Sequence, residues 1–242
     1  MASEQLGELL GRIHAGFRRT LGKGALLADP DMLLLHRRLL SVNPKKLVNK
    51  PIEKTRFVVI DTETTGLQAY AGDEICSIAL LEMQGLELTG REFNTLIYPG
   101  RCIPEASTRI HHLSDDDVRD APLIEEVMQE IADFIGESVL VGHHVGFDIR
   151  FLNKILQKEL LCHLRHPWLD TMLLYLVHTG RVGHYTLEEV ADYTEVVIEG
   201  RHTARGDAMI TAEVFKRLAA VLVEYNNPVN KLIHRQYELG HF

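Results

Sequence analysis

The chain has 242 residues, 45% of them hydrophobic, with 26 Lys and Arg against 34 Asp and Glu for a formal net charge of −8. That is enough chain to bury a sizeable core, and no apolar run is long enough to span a bilayer. The charge is uneven. Residues 1–56 carry eleven basic and five acidic side chains, a net +6, which leaves the remainder at −14. An acidic main domain argues against extended electrostatic binding of duplex DNA, but not against an enzyme that grips a short end.

Residues 3–21 and about 30–42 read as two amphipathic helices. Leu6, Leu9, Leu10 and Ile13 share one face of the first, and Asp29-Pro30 supplies a start signal for the second. Asn43-Pro44-Lys45-Lys46 through Pro51 reads as a linker. Strands are expected at about 56–61, 74–83 and 87–98, the last two joined through Gly85 in an antiparallel meander. Helices are expected at about 121–135, 147–161, 170–179, 186–193 and 204–225, with a short strand near 138–142. Asn226-Asn227-Pro228 breaks the chain before a last short helix. The division is a helical extension and linker over 1–50, a main domain over 51–226 and a helical tail over 227–242, and the pattern is a mixed sheet with helices on both faces. Two short helices are marginal alone. Residues 1–50 therefore either pack on the main domain or serve as a docking element for a partner or for nucleic acid.

Phe57-Val58-Val59-Ile60 is an apolar run of the kind found in strands buried on both faces, and it leads into Asp61-Thr62-Glu63. Two carboxylates two residues apart on a strand point the same way. Like charges held together in a partly buried place need a neutraliser, and for oxygen ligands that is a hard cation, Mg²⁺ or Mn²⁺. A solvated strand end before a Gly turn is the plainer alternative for this stretch alone. Asp148 lies at a second strand-to-helix junction, and His202 and Asp207 lie at the start of the last long helix. Asp207 has an ordinary explanation in the helix macrodipole. Four carboxylates and one His, all at element ends, fit one site better than five separate accidents.

These residues stand in a known order. Asp61-Thr62-Glu63-Thr64-Thr65-Gly66-Leu67, His143-His144-Val145-Gly146-Phe147-Asp148 and His202 through Asp207 resemble the three motifs of the DEDDh 3′–5′ exonucleases. That family includes RNase T and the epsilon subunit of DNA polymerase III. The resemblance spans about residues 56–220. It departs at His144, where Asn is usual, and at His112, where Gly usually follows an Ile-His pair such as Ile110-His111. It implies an RNase H-like α/β fold with a mixed five-stranded sheet. It also implies a cytoplasmic phosphodiester hydrolase that uses two divalent ions, Mg²⁺ or Mn²⁺, roughly 4 Å apart. In that scheme Asp61 bridges both ions, Glu63 and Asp207 complete one site, Asp148 holds the other, and His202 is the general base.

The substrate implied is a single-stranded DNA or RNA 3′ end, for proofreading, repair or RNA trimming, with a DNA polymerase as a possible partner. Thr64, Thr65, Gly66, Leu67, Ile110, His111, His144 and Phe147 are the candidates for the terminal-nucleotide pocket. Glycine allows a close backbone approach, and apolar side chains allow sequence-tolerant contact with a base. Core filling is the alternative for Leu67 and Phe147. Three further features stay secondary. Gln236 through Phe242 resembles a sliding-clamp peptide, with a frayed polar tail as the alternative. Cys162, His163 and His166 are close enough to suggest zinc, but a surface His-rich turn explains them more simply. Cys76, Cys102 and Cys162 read as free thiols in a reducing compartment, and the first five residues do not begin a signal peptide.

Overall fold

The computed structural model describes residues 29–238. Its centre is β1 (Arg56–Thr64), followed by the antiparallel pair β2 (Ile75–Gln84) and β3 (Glu87–Leu96). Two short strands, β4 (Val139–Gly142) and β5 (Trp168–Asp170), complete a five-stranded sheet of order β3-β2-β1-β4-β5. β1 runs antiparallel to β2 and parallel to β4, which is parallel to β5. Alternation along β1 divides the core. Phe57 and Val59 enter one apolar cluster, and Val58 and Ile60 enter the other. Both faces are therefore buried, which is why this strand reads as a continuous apolar run.

The helices that cover these faces set the site. Before the sheet come α1 (Pro30–Ser41) and α2 (Pro44–Val48). Between β3 and β4 lie α3 (Glu105–His111), α4 (Asp115–Val118) and α5 (Ile124–Ile135). The Ile60 face is covered by α5 and by α6 (Gly146–Leu160), and the Val59 face by α9 (Ala204–Leu222). Two shorter helices, α7 (Thr171–Thr179) and α8 (Leu187–Tyr193), pack around α9, and α10 (Asn230–Gln236) closes the described chain. Arg205 and Lys216 of α9 form ion pairs at 2.9 and 2.6 Å with Glu92 and Glu87 of β3, spanning from helix to sheet edge. No described helix is long and apolar enough to cross a membrane.

Several expectations change. The linker expected at 43–51 contains α2, which Asn43 caps by accepting from the Lys46 N–H at 3.2 Å. Leu35 and Leu39 of α1 are buried in the Ile60-side cluster, and Val42 and Leu47 in the Val59-side cluster. The described part of the N-terminal segment thus takes the packing alternative, and the helix expected at 3–21 lies outside the described residues. Three elements were not expected: α3, α4 and β5. α4 and β5, at 4 and 3 residues, are too short for periodicity to reveal them, and α3 spans only 7. Cys162 and His166 are buried rather than on a surface turn, and the His166 ring is hydrogen-bonded to the Gly136 carbonyl at 2.7 Å. Gln236, which would lead a clamp-binding peptide, is also buried. Its amide accepts from the Asp170 N–H at 3.0 Å and donates to the Trp168 carbonyl at 3.1 Å, both on β5. Residues 239–242 of that peptide lie outside the described residues.

The packing of α1 makes a measurable claim. Leu35→Ala or Leu39→Ala should each cost about 2–5 kcal/mol of unfolding free energy, the range for emptying a buried Leu site. Leu34 is 56% exposed, and Leu34→Ala should cost under about 1 kcal/mol. Equal urea midpoints for all three variants would mean that α1 does not belong to the core.

Candidate active site

β1 does not stop at Asp61. It continues through Thr64, with Asp61 opposite Ala79 and Glu63 opposite Ser77 of β2. On its other side the pairing with β4 ends at Val59 opposite Val141. There the β4 chain turns away through His143–Val145 into α6. From Ile60 onward one edge of β1 is free of strand pairing, at the carboxyl ends of two parallel strands. Crevices of this kind are where α/β sheets bind ligands.

Asp61 and Glu63 continue the Phe57 and Val59 parity, so they face α9. There one oxygen each of Asp61, Glu63 and Asp207 lies within 4.8 Å of the others, the only such group among the described residues. Asp148, buried in the first turn of α6, accepts from the Thr62 hydroxyl at 2.7 Å. Burial, then Asp148, Asp207 and Glu63, push the Asp61 carboxyl well above the usual range, against the pull of Arg201. Burial and Asp207 push Glu63 up to about 7. Burial pushes Asp148 up to about 7 although Thr62 bonds its charged form. Asp207 is raised by burial against Arg201 and the His202 N–H. Clustered oxygen donors that resist ionisation without a counter-cation are the donor set of a hard divalent ion. Burial and then Glu63 push the Cys76 thiol up to about 12.

The turn before α9 depends on glycine. A Cβ on Gly206 would stand 1.8 Å from the Gly200 carbonyl oxygen, so the helix start can lie against that loop only without a side chain. Thr203 caps α9 by accepting from the Gly206 N–H at 3.1 Å and donates to the Gly200 carbonyl at 2.7 Å. His202 is thereby held at φ +63°, with its N–H donating to Asp207 Oδ1 at 3.2 Å. Its ring meets that of His112 edge-on, centroids 6.3 Å apart.

The residues expected to line the nucleotide pocket have different surroundings. Leu67 and Ile110 are 80% and 58% exposed. Gly66 lies so close to Asp73 that an added Cβ would stand 2.4 Å from its carboxylate. The Thr64 hydroxyl donates to the Gly66 carbonyl, and that of Thr65 donates to Asp73 at 3.1 Å. His111 is buried, and its Nδ1 accepts from the Leu113 N–H at 3.1 Å. Phe147 is half-buried against Phe151. His144 is half-buried and stacks on His184 with centroids 4.1 Å apart. His112 and His144 have φ of +62° and +57°. A side chain in this left-handed region costs energy that Gly avoids and Asn tolerates, which accounts for the residues usual at these two positions.

Sequence reasoning missed Arg201 and Glu188. Arg201 is ion-paired to Asp207, and its Nη2 bonds Glu188 of α8 at 2.8 Å. The only sequence signal for Arg201 was its place directly before His202; Glu188 reads as ordinary charge at a helix start. His143 proves to be a fastener. Its ring bonds the Thr171 hydroxyl and the Tyr185 carbonyl, each at 3.0 Å, and burial followed by His144 pushes its pKa down to about 4.

The exonuclease family model that includes RNase T matches residues 58–215. The chain belongs to this family. It is 42% identical over 181 residues to a DNA polymerase III subunit epsilon-like protein of Rhodobacter capsulatus, covering 73% of this chain but only 25% of that protein. It is 35% identical over 162 residues to the DNA polymerase III subunit epsilon of Aquifex aeolicus, covering 67% of this chain and 79% of the subunit. Among solved structures, Exonuclease X in complex with 5′ overhanging duplex DNA aligns with a TM-score of 0.57 at 24% identity, over 73% of this chain and 99% of that one. The nuclease domain of 3′hExo bound to rAMP aligns at 0.59 and 17% identity, over 72% and 95%. The two structures share the RNase H-like fold.

The raised carboxyl groups have a calorimetric consequence. Glu63 and Asp148 hold protons at pH 6 in the metal-free protein, and a cation must displace them. Mn²⁺ binding at pH 6 should therefore release protons, read as a heat that varies with buffer ionisation enthalpy, and at pH 8.5 the part of that variation due to Glu63 and Asp148 should be lost. Apparent affinity should rise between the two pH values. A buffer-independent heat at pH 6 would contradict the arrangement.

Proposed function

We propose that this exonuclease trims single-stranded DNA 3′ ends with two divalent ions, Mg²⁺ or Mn²⁺, in proofreading or repair. The observation that carries the reading is the convergence of Asp61, Glu63 and Asp207 within 4.8 Å, with Asp148 tied to the same strand through Thr62. Bound divalent ions would supply an activated water and stabilise charge on the phosphoryl and leaving oxygens. In this reading Asp61, Glu63, Asp207 and Asp148 would be the residues that hold them. His202, tethered to Asp207 through its own N–H, takes the proton from the attacking water. Exposed Leu67 and Ile110 give the terminal base and its neighbour an apolar contact, and Gly66, packed on Asp73, sets the course of the loop that carries Leu67. His111, Thr64 and Thr65 support that pocket through their internal hydrogen bonds, and Phe147 and His144 are the further candidates to contact the terminal nucleotide.

The epsilon subunit and epsilon-like relatives favour DNA as substrate and a replicative polymerase as partner. RNA 3′-end trimming is the second reading, and the rAMP-bound 3′hExo structure is what keeps it open. We place the protein in the cytoplasm, where free Cys76, Cys102 and Cys162 persist.

Purified protein on labelled DNA and RNA oligonucleotides of matched sequence tests the reading by its product ladder. Mononucleotides should leave the 3′ end of DNA faster, and only with Mg²⁺ or Mn²⁺. Robust hydrolysis in excess EDTA would sink the metal-dependent mechanism, and faster RNA trimming would favour the second reading. Asp61→Asn should reduce turnover to background while the thermal transition remains cooperative, because a charge is lost and little volume changes.

His202→Ala should lower the rate by about 10²–10⁴-fold, the usual loss for a general base. Mn²⁺ binding should persist in that variant, since the four carboxylates remain. A near-wild-type rate at neutral pH would remove His202 from that role.

A further inference from the structure

Arg201 is the one described cation drawn into the carboxylate cluster that the mechanism above leaves without a role. Its guanidinium is forked between two helices. One Nη reaches Asp207 at the start of α9, and the other donates to Glu188 of α8 at 2.8 Å. The third nitrogen, Nε, is buried and makes no hydrogen bond. A well-satisfied structural Arg would normally use that donor as well. Two of three nitrogens engaged by opposed carboxylates, with the third left idle, describes a side chain held by charge rather than by a complete hydrogen-bond shell.

Both oxygens of Asp207 are already committed. Oδ1 accepts from the His202 N–H at 3.2 Å, and Oδ2 is the atom paired with Arg201. Yet Asp207 is also a member of the group whose oxygens gather within 4.8 Å with Asp61 and Glu63. A divalent ion and the guanidinium therefore compete for the same carboxylate. Two divalent ions would neutralise the four carboxylates unaided, and Asp207 would then have no net charge left to hold Arg201. Glu188 offers it a way out, since its side chain is 39% exposed and lies outside the cluster.

We propose that Arg201 is a resident counter-cation of the metal site: it holds Asp207 before an ion arrives and transfers its charge to Glu188 when the ion takes Asp207. Arg201 is thus a positioning residue that acts through Asp207 and through the adjacent His202. The inference rests on the metal-dependent reading and adds a cost to ion binding that the carboxylates alone would not have.

The sign of the effect separates this role from a structural one. Removing a purely structural Arg loosens the site and weakens ion binding. Removing a competitor strengthens it. Mn²⁺ titration calorimetry on the full chain at pH 8.5 reads the difference away from the protons of Glu63 and Asp148. Arg201→Met should bind Mn²⁺ about 5- to 100-fold more tightly than wild type, the span of a typical coupling between two ligands of one site. Its metal-free melting temperature should fall, and Mn²⁺ should raise that temperature by more than in wild type. Glu188→Gln should act oppositely, weakening Mn²⁺ binding by about fivefold or more, because the guanidinium then bears on Asp207 alone. In Arg201→Met the added Glu188→Gln change should lose most of its effect.

Equal or weaker Mn²⁺ binding by Arg201→Met overturns the proposal. Should that variant fail to fold, Glu188→Gln decides alone, and unchanged or tighter binding by it overturns the proposal. Wild-type protein that takes up no Mn²⁺ overturns the metal-dependent reading and this inference with it. Wild-type uptake with an unmoved Arg201→Met affinity overturns this inference only.

Discussion

The folded chain must hold four carboxylates against one another at the end of a buried strand. Each repels its neighbours, and burial removes the water that would screen them. The rest of the architecture is arranged around that tension. The sheet is covered on both faces, so β1 is anchored by Phe57, Val58, Val59 and Ile60, none more than 1% exposed. Those four residues fix where Asp61 and Glu63 stand. α9 brings Asp207 to the same face, and α6 brings Asp148 to its edge. The early end of β4 keeps the space between them open. The apolar packing on both faces offsets the repulsion that this crowding builds into the site.

Left-handed backbone is a second sign of that imposition. His112, His144 and His202 all have φ near +60°, and the His112 and His202 rings touch. His144 meets His143 edge-on and stacks on His184. Each conformation is costly for a residue with a Cβ. Two of these residues, His144 and His202, stand four and five positions before Asp148 and Asp207, so the strained turns lead into the carboxylate cluster, while Leu161 and Glu195 take the same conformation elsewhere.

The apolar run before Asp61 made the central strand legible, because burial on both faces leaves no polar alternation to blur it. The long helix from Ala204 was legible for the converse reason, since 19 residues carry a clear 3.6-residue period. The spacing of Asp61 and Glu63 also fixed their common face before any coordinates. What could not be read was whatever depends on contact between distant segments. β5 has three residues, and its existence depends on the β4 edge rather than on its own sequence. Arg201 looks like any basic residue in a loop until Glu188, thirteen positions earlier, is seen to share its guanidinium. The Thr64, Thr65 and His111 side chains could not be assigned a direction, and each one makes hydrogen bonds within the protein. The α1 face was visibly apolar, but the surface it covers was set by α5 and α6.

The two margins of the sheet are guarded in different ways. On β3, Glu87 and Glu92 are tied to Lys216 and Arg205, so charge lines the outermost strand. On β5, the Gln236 amide occupies the Trp168 carbonyl and the Asp170 N–H, imitating the strand that would otherwise come next. Unprotected margins recruit other chains by backbone pairing and lead to aggregation. Here such recruitment is blocked on one flank by ionic side chains and on the other by a single primary amide. Strand addition is thus disfavoured at both margins of the described sheet, and its central strand is left to carry Asp61 and Glu63.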